Sequence, residues 1–182
     1  MKKFTSVFLI LAIVFTVIFC VWATIRIVKV VQFNFDCEAY LQRAANANTV
    51  EMAKEELAKA IAYAEQNNLT EGIVSIFLKN PANDIGFWYR NIKSAYEELQ
   101  NLPEDSAPLE KTNVLMKLRE SLTERSEGGG TQVIVPLGIS IYPNNVIYFW
   151  LSMLSCAGLC VFWTLFGIAA GIKLADSIKS GK

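Results

Sequence analysis

Two long stretches of the chain contain no charged residue. They cover residues 7–25 and 146–172, and both are dominated by aliphatic and aromatic side chains. A helix rises about 1.5 Å per residue, so about 20 residues cross the roughly 30 Å hydrocarbon core of a bilayer. The sequence therefore predicts two transmembrane helices, which we place at residues 7–31 and 146–172.

The first apolar run has a second interpretation, because Met-Lys-Lys before such a run is also how a cleaved secretory signal begins. The run is longer than the roughly 7 to 15 residues of a typical signal core. Cleavage after Ala23 would also leave Arg26 and Lys29 near the start of the mature chain. We therefore expect an uncleaved anchor.

The charged residues lie mainly between the two runs. Residues 26–145 carry 12 of the 17 basic and 16 of the 17 acidic side chains, so this segment must face water. Basic residues near the predicted spans are more numerous at the termini: Lys2, Lys3, Lys173, Lys179 and Lys182 against Arg26 and Lys29. The positive-inside rule then places both termini in the cytoplasm and the central segment outside a cytoplasmic (inner) membrane, in a periplasm or its equivalent.

This assignment divides the chain into six segments. They are a cytoplasmic N-terminus (1–6), the first span (7–31), an extracytoplasmic helical domain (32–127), a Gly-rich turn with an extended or β arm (128–145), the second span (146–172) and a cytoplasmic tail (173–182). The predicted fold class is an all-α membrane protein with a small helical bundle between its spans.

Arg26 and Lys29 oppose the charge rule and leave two interpretations open. If the first helix continues past the bilayer, they extend their side chains to its surface. Alternatively, they form a basic collar that meets anionic headgroups or the acidic face of a partner.

Apolar residues at helical spacing predict three amphipathic helices in the central segment. Thr49 is the expected N-cap of the first, Asn83 or Asp84 that of the second, and Ser106, with Pro108 just inside, that of the third. A further helix over residues 36–47 is expected to continue from the first span, with Asp36 as its own cap. Such helices can close a small bundle by covering one another's apolar faces.

Three aromatic residues of the second amphipathic helix have two interpretations. Trp88, Tyr89 and Tyr96 fit the core and rim of the bundle, because they follow its apolar spacing. If they were exposed together, they would instead form a docking surface for a partner.

Residues 131–142 alternate in the manner of a β-strand. Val133, Val135, Leu137, Ile139 and Ile141 lie on one side of such a strand, which Pro136 confines to an edge or interrupts. Its partner is either residues 73–78 or the same segment of a neighbouring copy. Otherwise the arm packs, extended, on its own bundle.

The second apolar run carries small residues that suit helix association. Gly167 and Gly171 form a GxxxG spacing, and Ser152, Ser155, Ala157 and Gly158 precede them. These residues predict either self-association or pairing with the first helix. The absence of charge inside both runs argues against a proton relay.

No group of residues predicts catalysis, a cofactor or a metal. The chain has no His, and only Cys37 of its four cysteines lies in the central segment. Its carboxylates fall on polar helix faces, where solvation is their usual role. The balanced charge, 17 basic against 17 acidic residues, argues against nucleic-acid binding. We expect no enzyme, no catalytic residue and no cofactor.

Three blocks of the central segment carry a resemblance. They are DCEAYLQRAANANTVEMAKEELAKAIAYAEQNNLT, DIGFWYRNIKSAYEELQ and LEKTNVLMKLRESL, within residues 36–145. Together they resemble an uncharacterised family of two-pass bacterial membrane proteins with a small helical extracytoplasmic domain. The resemblance implies a bacterial setting and brings no activity or functional residue.

A looser similarity is to polysaccharide chain-length regulators. These have two spans, cytoplasmic termini, a helical periplasmic domain and a Pro/Gly-containing segment before the second span, where this chain has Pro136, Gly138 and Pro143. The similarity implies regulation of an envelope polymerase or transport system.

The expected function is that of a non-enzymatic membrane scaffold or accessory subunit. Its partners would be the lipid bilayer and either further copies of itself or another membrane protein, bound through the helical domain. The chain-length regulator and a small oligomeric channel are the alternatives.

Overall fold

The structure is a computed structural model that describes residues 2–126, 128–179 and 181. Met1, Glu127, Ser180 and Lys182, with the side chains of Lys2 and Lys3, lie outside the described residues. Three of the five terminal lysines used for the orientation, and the predicted end of the helical domain at residue 127, are therefore among them.

The described chain is mostly helical, as predicted, and contains two short strands. The helices and strands are, in order, α1 (Lys2–Phe33), a π turn (Asn34–Glu38), α2 (Ala39–Ala45), α3 (Val50–Gln66), a 3-10 turn (Pro81–Asn83), α4 (Ile85–Gln100), α5 (Pro108–Leu122), β1 (Thr123–Arg125), β2 (Thr131–Val133), a 3-10 turn (Ile139–Ile141) and α6 (Asn145–Lys179). They form two compact units. The first joins the residues up to Val28 to those from Val146 and is called the two-helix unit; the second, Lys29–Asn145, is called the central domain.

α1 and α6 are each long and apolar enough to cross a membrane. Only 11% of the residues in the most apolar part of α1, and 6% in that of α6, are buried. Side chains such as Ile10 and Ile168 are exposed. Helices in the core of a soluble domain are covered by the rest of the chain, whereas these two are not.

The two-helix unit is held by an antiparallel contact in which Gly158 of α6 faces Phe15 of α1. A Cβ atom at position 158 would overlap the Phe15 ring, which also stacks on Phe162 with 5.3 Å between ring centroids. At its two sides, Trp163 Nε1 donates to Thr16 Oγ1 (3.1 Å) and Trp22 Nε1 donates to the Tyr148 carbonyl (3.0 Å). Pairing within the chain therefore uses Gly158.

Gly167 and Gly171 take no part in that contact. Both are exposed, and a Cβ atom added to either would meet no atom within 4 Å among the described residues. The GxxxG face is thus left uncovered by its own chain, and the prediction that it associates helices stays a prediction about contacts with other molecules.

The core of the central domain surrounds α3. Four residues of α3 are fully buried: Ala53, Leu57, Ala60 and Ala64. They share one core with residues of α2, α4 and α5 that are at most 3% exposed, namely Leu41, Ile92, Leu99, Leu118 and Leu122.

The predicted Thr49 and Asp84 caps are confirmed. Thr49 Oγ1 accepts from the Met52 N–H, and Asp84 Oδ1 accepts from the Phe87 N–H.

Two other predicted caps are wrong. Asp36 is not an N-cap, because it lies inside the π turn Asn34–Glu38. This turn joins α1 to α2 without a break, so no new helix begins at Asp36. That turn leaves Phe33, Cys37 and Leu41 buried. Ser106 is not the cap of α5 either: its N-cap is Ala107, and Pro108 sits in the first turn, where its missing N–H would have had no partner.

The arm differs from the single strand expected over residues 131–142. Only Thr131–Val133 is a strand, and it pairs with β1, with Thr123 opposite Val133 and Arg125 opposite Thr131. Ser126 and Gly130 close the hairpin through a 2.8 Å backbone hydrogen bond. Residues 73–78 are not its partner, since Ile73 bridges Asp84 instead. Pro136 and the left-handed Gly138 (φ 89°) interrupt the extended backbone.

The contact at Gly158 gives the first prediction. Gly158→Leu forces a side chain into the Phe15 ring and should lower the free energy of unfolding in mild detergent by about 1–3 kcal/mol. Ala157→Leu, at an exposed position next to Gly158 on the same helix, is the matched control and should change it by less than about 0.5 kcal/mol. Phe15→Ala should reduce the cost of Gly158→Leu, and equal effects at positions 157 and 158 would contradict the assigned contact.

Candidate functional site

The central domain has one apolar groove of functional interest, with a volume of about 440 Å³. Its walls come from three parts of the chain: α4, the end of α5, and the segment that follows β2. The lining residues are Pro81, Ala82, Asp84, Phe87, Trp88, Asn91, Ile92, Ser121, Leu122, Ile134 and Pro136. The volume lies in the range of sites that bind small molecules or side chains of a partner.

Two hydrogen bonds fix the walls of the groove to each other. Asn91 Nδ2 on α4 donates to the Ser121 carbonyl (3.2 Å), and the Ile134 N–H donates to the Leu122 carbonyl (2.9 Å). The first joins α4 to α5, and the second holds the arm against the end of α5. The groove is therefore built by tertiary contacts rather than by one element.

The rim of the groove is apolar and open to solvent. Phe87 is 63% exposed and Ile134 is 42% exposed, whereas Trp88 beside them is only 6% exposed. Trp88 Nε1 is buried and has no hydrogen-bond partner in the described structure. Covering an exposed phenylalanine at the mouth of an apolar groove removes apolar surface from water, so the binding of a partner there lowers the free energy.

Asp84 is the only charged residue among the described residues that line the groove. Its Oδ1 atom accepts from the Phe87 N–H at 2.9 Å. The remaining lining is mainly apolar, as in sites that bind apolar groups. Among the described residues, no three His, Cys, Asp or Glu side chains converge in a way that could hold a metal ion.

The aromatic residues singled out from the sequence are not exposed together. Trp88 and Tyr89 are buried and Tyr96 is half-buried, which favours their interpretation as core and rim. Sequence reasoning missed Phe87, which lies off the apolar face of α4. An aromatic residue outside the helical spacing is the signal that could have found it.

The arm residues separate into two groups. Val133, Ile139 and Ile141 are buried and Val135 is half-buried, whereas Leu137 is 87% exposed. The arm is therefore packed on its own domain. This was the third of the interpretations that the sequence left open. Of these five residues only Leu137 is exposed, so they do not form a common surface that a neighbouring copy could contact.

Of the two basic residues after the first apolar run, Arg26 is half-buried and Lys29 is exposed. Neither forms an ion pair with another described residue. Cys37 is fully buried, with its Sγ 3.9 Å from the Ala60 carbonyl oxygen, so its thiol is closed to a disulfide between copies.

Charged groups elsewhere in the domain pair with one another. The carboxylate of Glu56, a buried residue, forms an ion pair with Arg43 Nη2 (2.9 Å), which links α2 to α3, and accepts a hydrogen bond from Lys59 Nζ (3.2 Å). Tyr89 donates from its hydroxyl to Glu65 Oε1 (2.5 Å) and accepts from Lys93 Nζ (3.3 Å). These contacts link α2 to α3 and α3 to α4.

The Tyr89 hydroxyl has a raised pKa. The main cause is its hydrogen bond to Glu65, because the carboxylate stabilises the protonated phenol, and burial adds to the effect. Lys93 also has a raised pKa, chiefly through its hydrogen bond to Tyr89. This cluster therefore stabilises the fold while both groups are protonated.

Comparison with known proteins finds no matching family model, no matching curated protein and no matching solved structure.

The Tyr89 cluster gives a prediction about pH. A group with a raised folded pKa stabilises the protein below its unfolded pKa, here about 10, and loses that contribution as pH rises through the folded pKa. Between about pH 9 and 11 the free energy of unfolding should fall more for the wild-type chain than for Tyr89→Phe.

The measurement is chemical unfolding of the full chain in mild detergent at each pH. Tyr96→Phe is the matched control, since the Tyr96 hydroxyl makes no hydrogen bond to another described residue, and it should keep the wild-type dependence. If the Tyr89 and Tyr96 variants lost the same amount of stability over this range, the cluster would not carry the effect.

Proposed function

We propose that this chain is a non-enzymatic accessory subunit of a bacterial cytoplasmic membrane. In this proposal α1 and α6 cross the bilayer with both termini in the cytoplasm, and the central domain stands outside. The proposal is supported by the uncovered apolar surfaces of both helices, which a bilayer would cover.

The observation that carries the binding role is the apolar groove with Phe87 at its mouth. We infer that its occupant is an apolar segment of a second membrane protein, inserted between Phe87 and Ile134. The central domain faces water, so an uncovered phenylalanine beside an apolar groove is costly unless a partner covers it. Among the described lining residues, Asp84 alone is charged and its Oδ1 already accepts from the Phe87 N–H, so the rest of the lining favours an apolar occupant over a polar substrate.

The exposed GxxxG face of α6 adds a second means of association. Gly167 and Gly171 have open space above them, so the backbone of another helix can approach closely there. Within the proposal, this face brings two copies together in the membrane, while the groove binds the other protein.

The alternatives drawn from the sequence have less support. A ring of chain-length regulator type would bring the arms of neighbouring copies into contact, whereas here the strand of the arm pairs with β1 of its own chain. The small channel remains a prediction with no contact among the described residues that favours it.

The groove assignment is tested by site-specific photocrosslinking in native membranes. A photoreactive residue at position 87 or 134 should crosslink to one foreign protein, identified by mass spectrometry, whereas one at Leu109, which is also exposed but lies on α5 away from the groove, should not. Phe87→Asp should lower recovery of that partner about tenfold or more, while Leu109→Asp keeps it. Crosslinks only between copies, or equal crosslinking at 87 and 109, would contradict the groove as the partner site.

The helix face is tested by the size of the particle in mild detergent. Gly167→Ile with Gly171→Ile should convert a dimer to a monomer, because the added side chains keep the helix backbones apart. Ile172→Phe, at an exposed position about 140° around the helix from Gly167, is the control and should keep the dimer. An unchanged mass for the double variant would remove this face from the proposal without touching the groove.

A further inference from the structure

A second, polar cavity lies in the central domain and shares no residue with the apolar groove. Its volume is about 240 Å³. It lies between the helical run around the π turn, the end of α3, and the segment that leads into α6. The lining residues are Lys29, Gln32, Asp36, Tyr63, Asn67, Leu69, Ile139, Ser140 and Tyr142.

This cavity brings one cation and one anion to the same face of a helix. Lys29 and Asp36 are seven residues apart, which is two turns and about 10 Å along the axis, and Gln32 lies between them. Ser140 and Tyr142 stand across from them with a hydroxyl each. Both charged side chains are exposed, so each is open to a ligand.

Most of the polar side chains around the cavity are not used by the fold; the exception is Asn67, whose Nδ2 donates to the Tyr63 carbonyl (2.9 Å). Within the described part of the chain, the side chains of Lys29, Gln32, Asp36 and Ser140 and the hydroxyl of Tyr142 make no hydrogen bond or ion pair with one another or with other residues. Their counterparts in the apolar groove, such as Asn91, are instead bonded to the wall. A cavity lined by uncommitted donors and one uncommitted acceptor suits a small charged group.

The walls of the cavity are fixed by packing. The hydroxyl end of the Tyr142 ring lies against Gly72, whose missing Cβ leaves room for it. The Tyr63 ring packs edge-on against Phe33, with 6.0 Å between their centroids. The cavity therefore keeps its shape without a ligand.

The cavity lies at the depth of lipid headgroups if α1 crosses the bilayer as proposed, and the inference rests on that insertion. Exposed apolar side chains continue along α1 to Val31, and an exposed Phe35 follows. From Val31 to Asp36 the helix rises about 7.5 Å, close to the 5–8 Å thickness of one headgroup layer. Tyr142 precedes the start of α6 by three residues.

We propose that this cavity binds the phosphoethanolamine headgroup of a membrane phospholipid. Lys29 Nζ pairs with a phosphate oxygen, to which the hydroxyls of Ser140 and Tyr142 and the Gln32 amide also donate. The Asp36 carboxylate accepts hydrogen bonds from the ammonium group at the other end of the headgroup. Both ends of a zwitterion are thus matched by opposite charges on one helix face, and charge-assisted hydrogen bonds are the strong ones.

The test uses the full chain in nanodiscs of equal parts phosphatidylethanolamine, phosphatidylcholine and phosphatidylglycerol. After transfer to mild detergent, native mass spectrometry identifies the lipids that stay bound. We expect one phosphatidylethanolamine per chain, preferred about tenfold over phosphatidylcholine, because choline has no N–H to donate to Asp36. No preference among the three lipids would overturn the proposal.

Two variants should change lipid binding in different ways, one in the amount of lipid retained and the other in the preference among lipids. Lys29→Gln should lower the retention of all three lipids about tenfold, because it removes the phosphate contact. Asp36→Asn should keep lipid bound but remove most of the preference for phosphatidylethanolamine. The matched controls are Arg26→Gln and Asp105→Asn, which make the same charge changes outside the cavity and should retain the wild-type pattern. An equal loss for Arg26→Gln and Lys29→Gln would show general attraction to lipid and overturn the site.

Two further measurements separate the sources of failure. Soluble glycerophosphoethanolamine carries the same headgroup without acyl chains; if it displaced the lipid at equal concentration, the site would belong to a soluble ligand and the lipid assignment would fall. Flotation of the wild-type chain with vesicles after carbonate washing tests insertion itself. A chain that floats but shows no headgroup preference contradicts this inference alone, whereas a chain that does not float contradicts the proposed function.

Discussion

The packing of α3 is the contact on which the central domain depends. Ala53, Ala60 and Ala64 place no side chain beyond Cβ on its buried face, so α2 and α4 can approach closely around Leu57. Each of these positions is fully buried, and a larger side chain there would separate the neighbouring helices. Because α2, α4 and α5 all pack on this helix, its small residues set the positions of the walls from which both cavities are made.

The two cavities differ in how their lining polar groups are used. In the apolar groove, Asn91 and Asp84 are bound to backbone atoms, and the open surface is left to Phe87 and Ile134. In the polar cavity, Lys29 and Asp36 have no partner among the described side chains. Binding at the apolar groove is favoured because it removes apolar surface from water. Binding at the polar cavity is favoured only for a ligand of complementary charge. One domain thus contains two cavities whose linings differ in chemistry.

Small residues serve different purposes along α6. Gly158 is needed because the Phe15 ring occupies the space that a side chain would fill, whereas Gly167 and Gly171 face open space. Residue type and spacing alone do not distinguish Gly158 from Gly167 and Gly171, because a glycine at any of these positions allows close contact with another helix. What separates them is whether an aromatic ring of the same chain lies opposite.

The sequence by itself determined the helical class, the two apolar helices, the Thr49 and Asp84 caps and the buried face of α3, because these depend on periodicity and local hydrogen bonding. It did not determine the π turn through Asp36, the β1 partner of the arm or either cavity. The groove joins Phe87 to Ile134, and the polar cavity joins Lys29 to Tyr142, so neither set is close in sequence. Only tertiary structure decided these features, because they depend on which distant segments fill the space beside a helix once the core has formed.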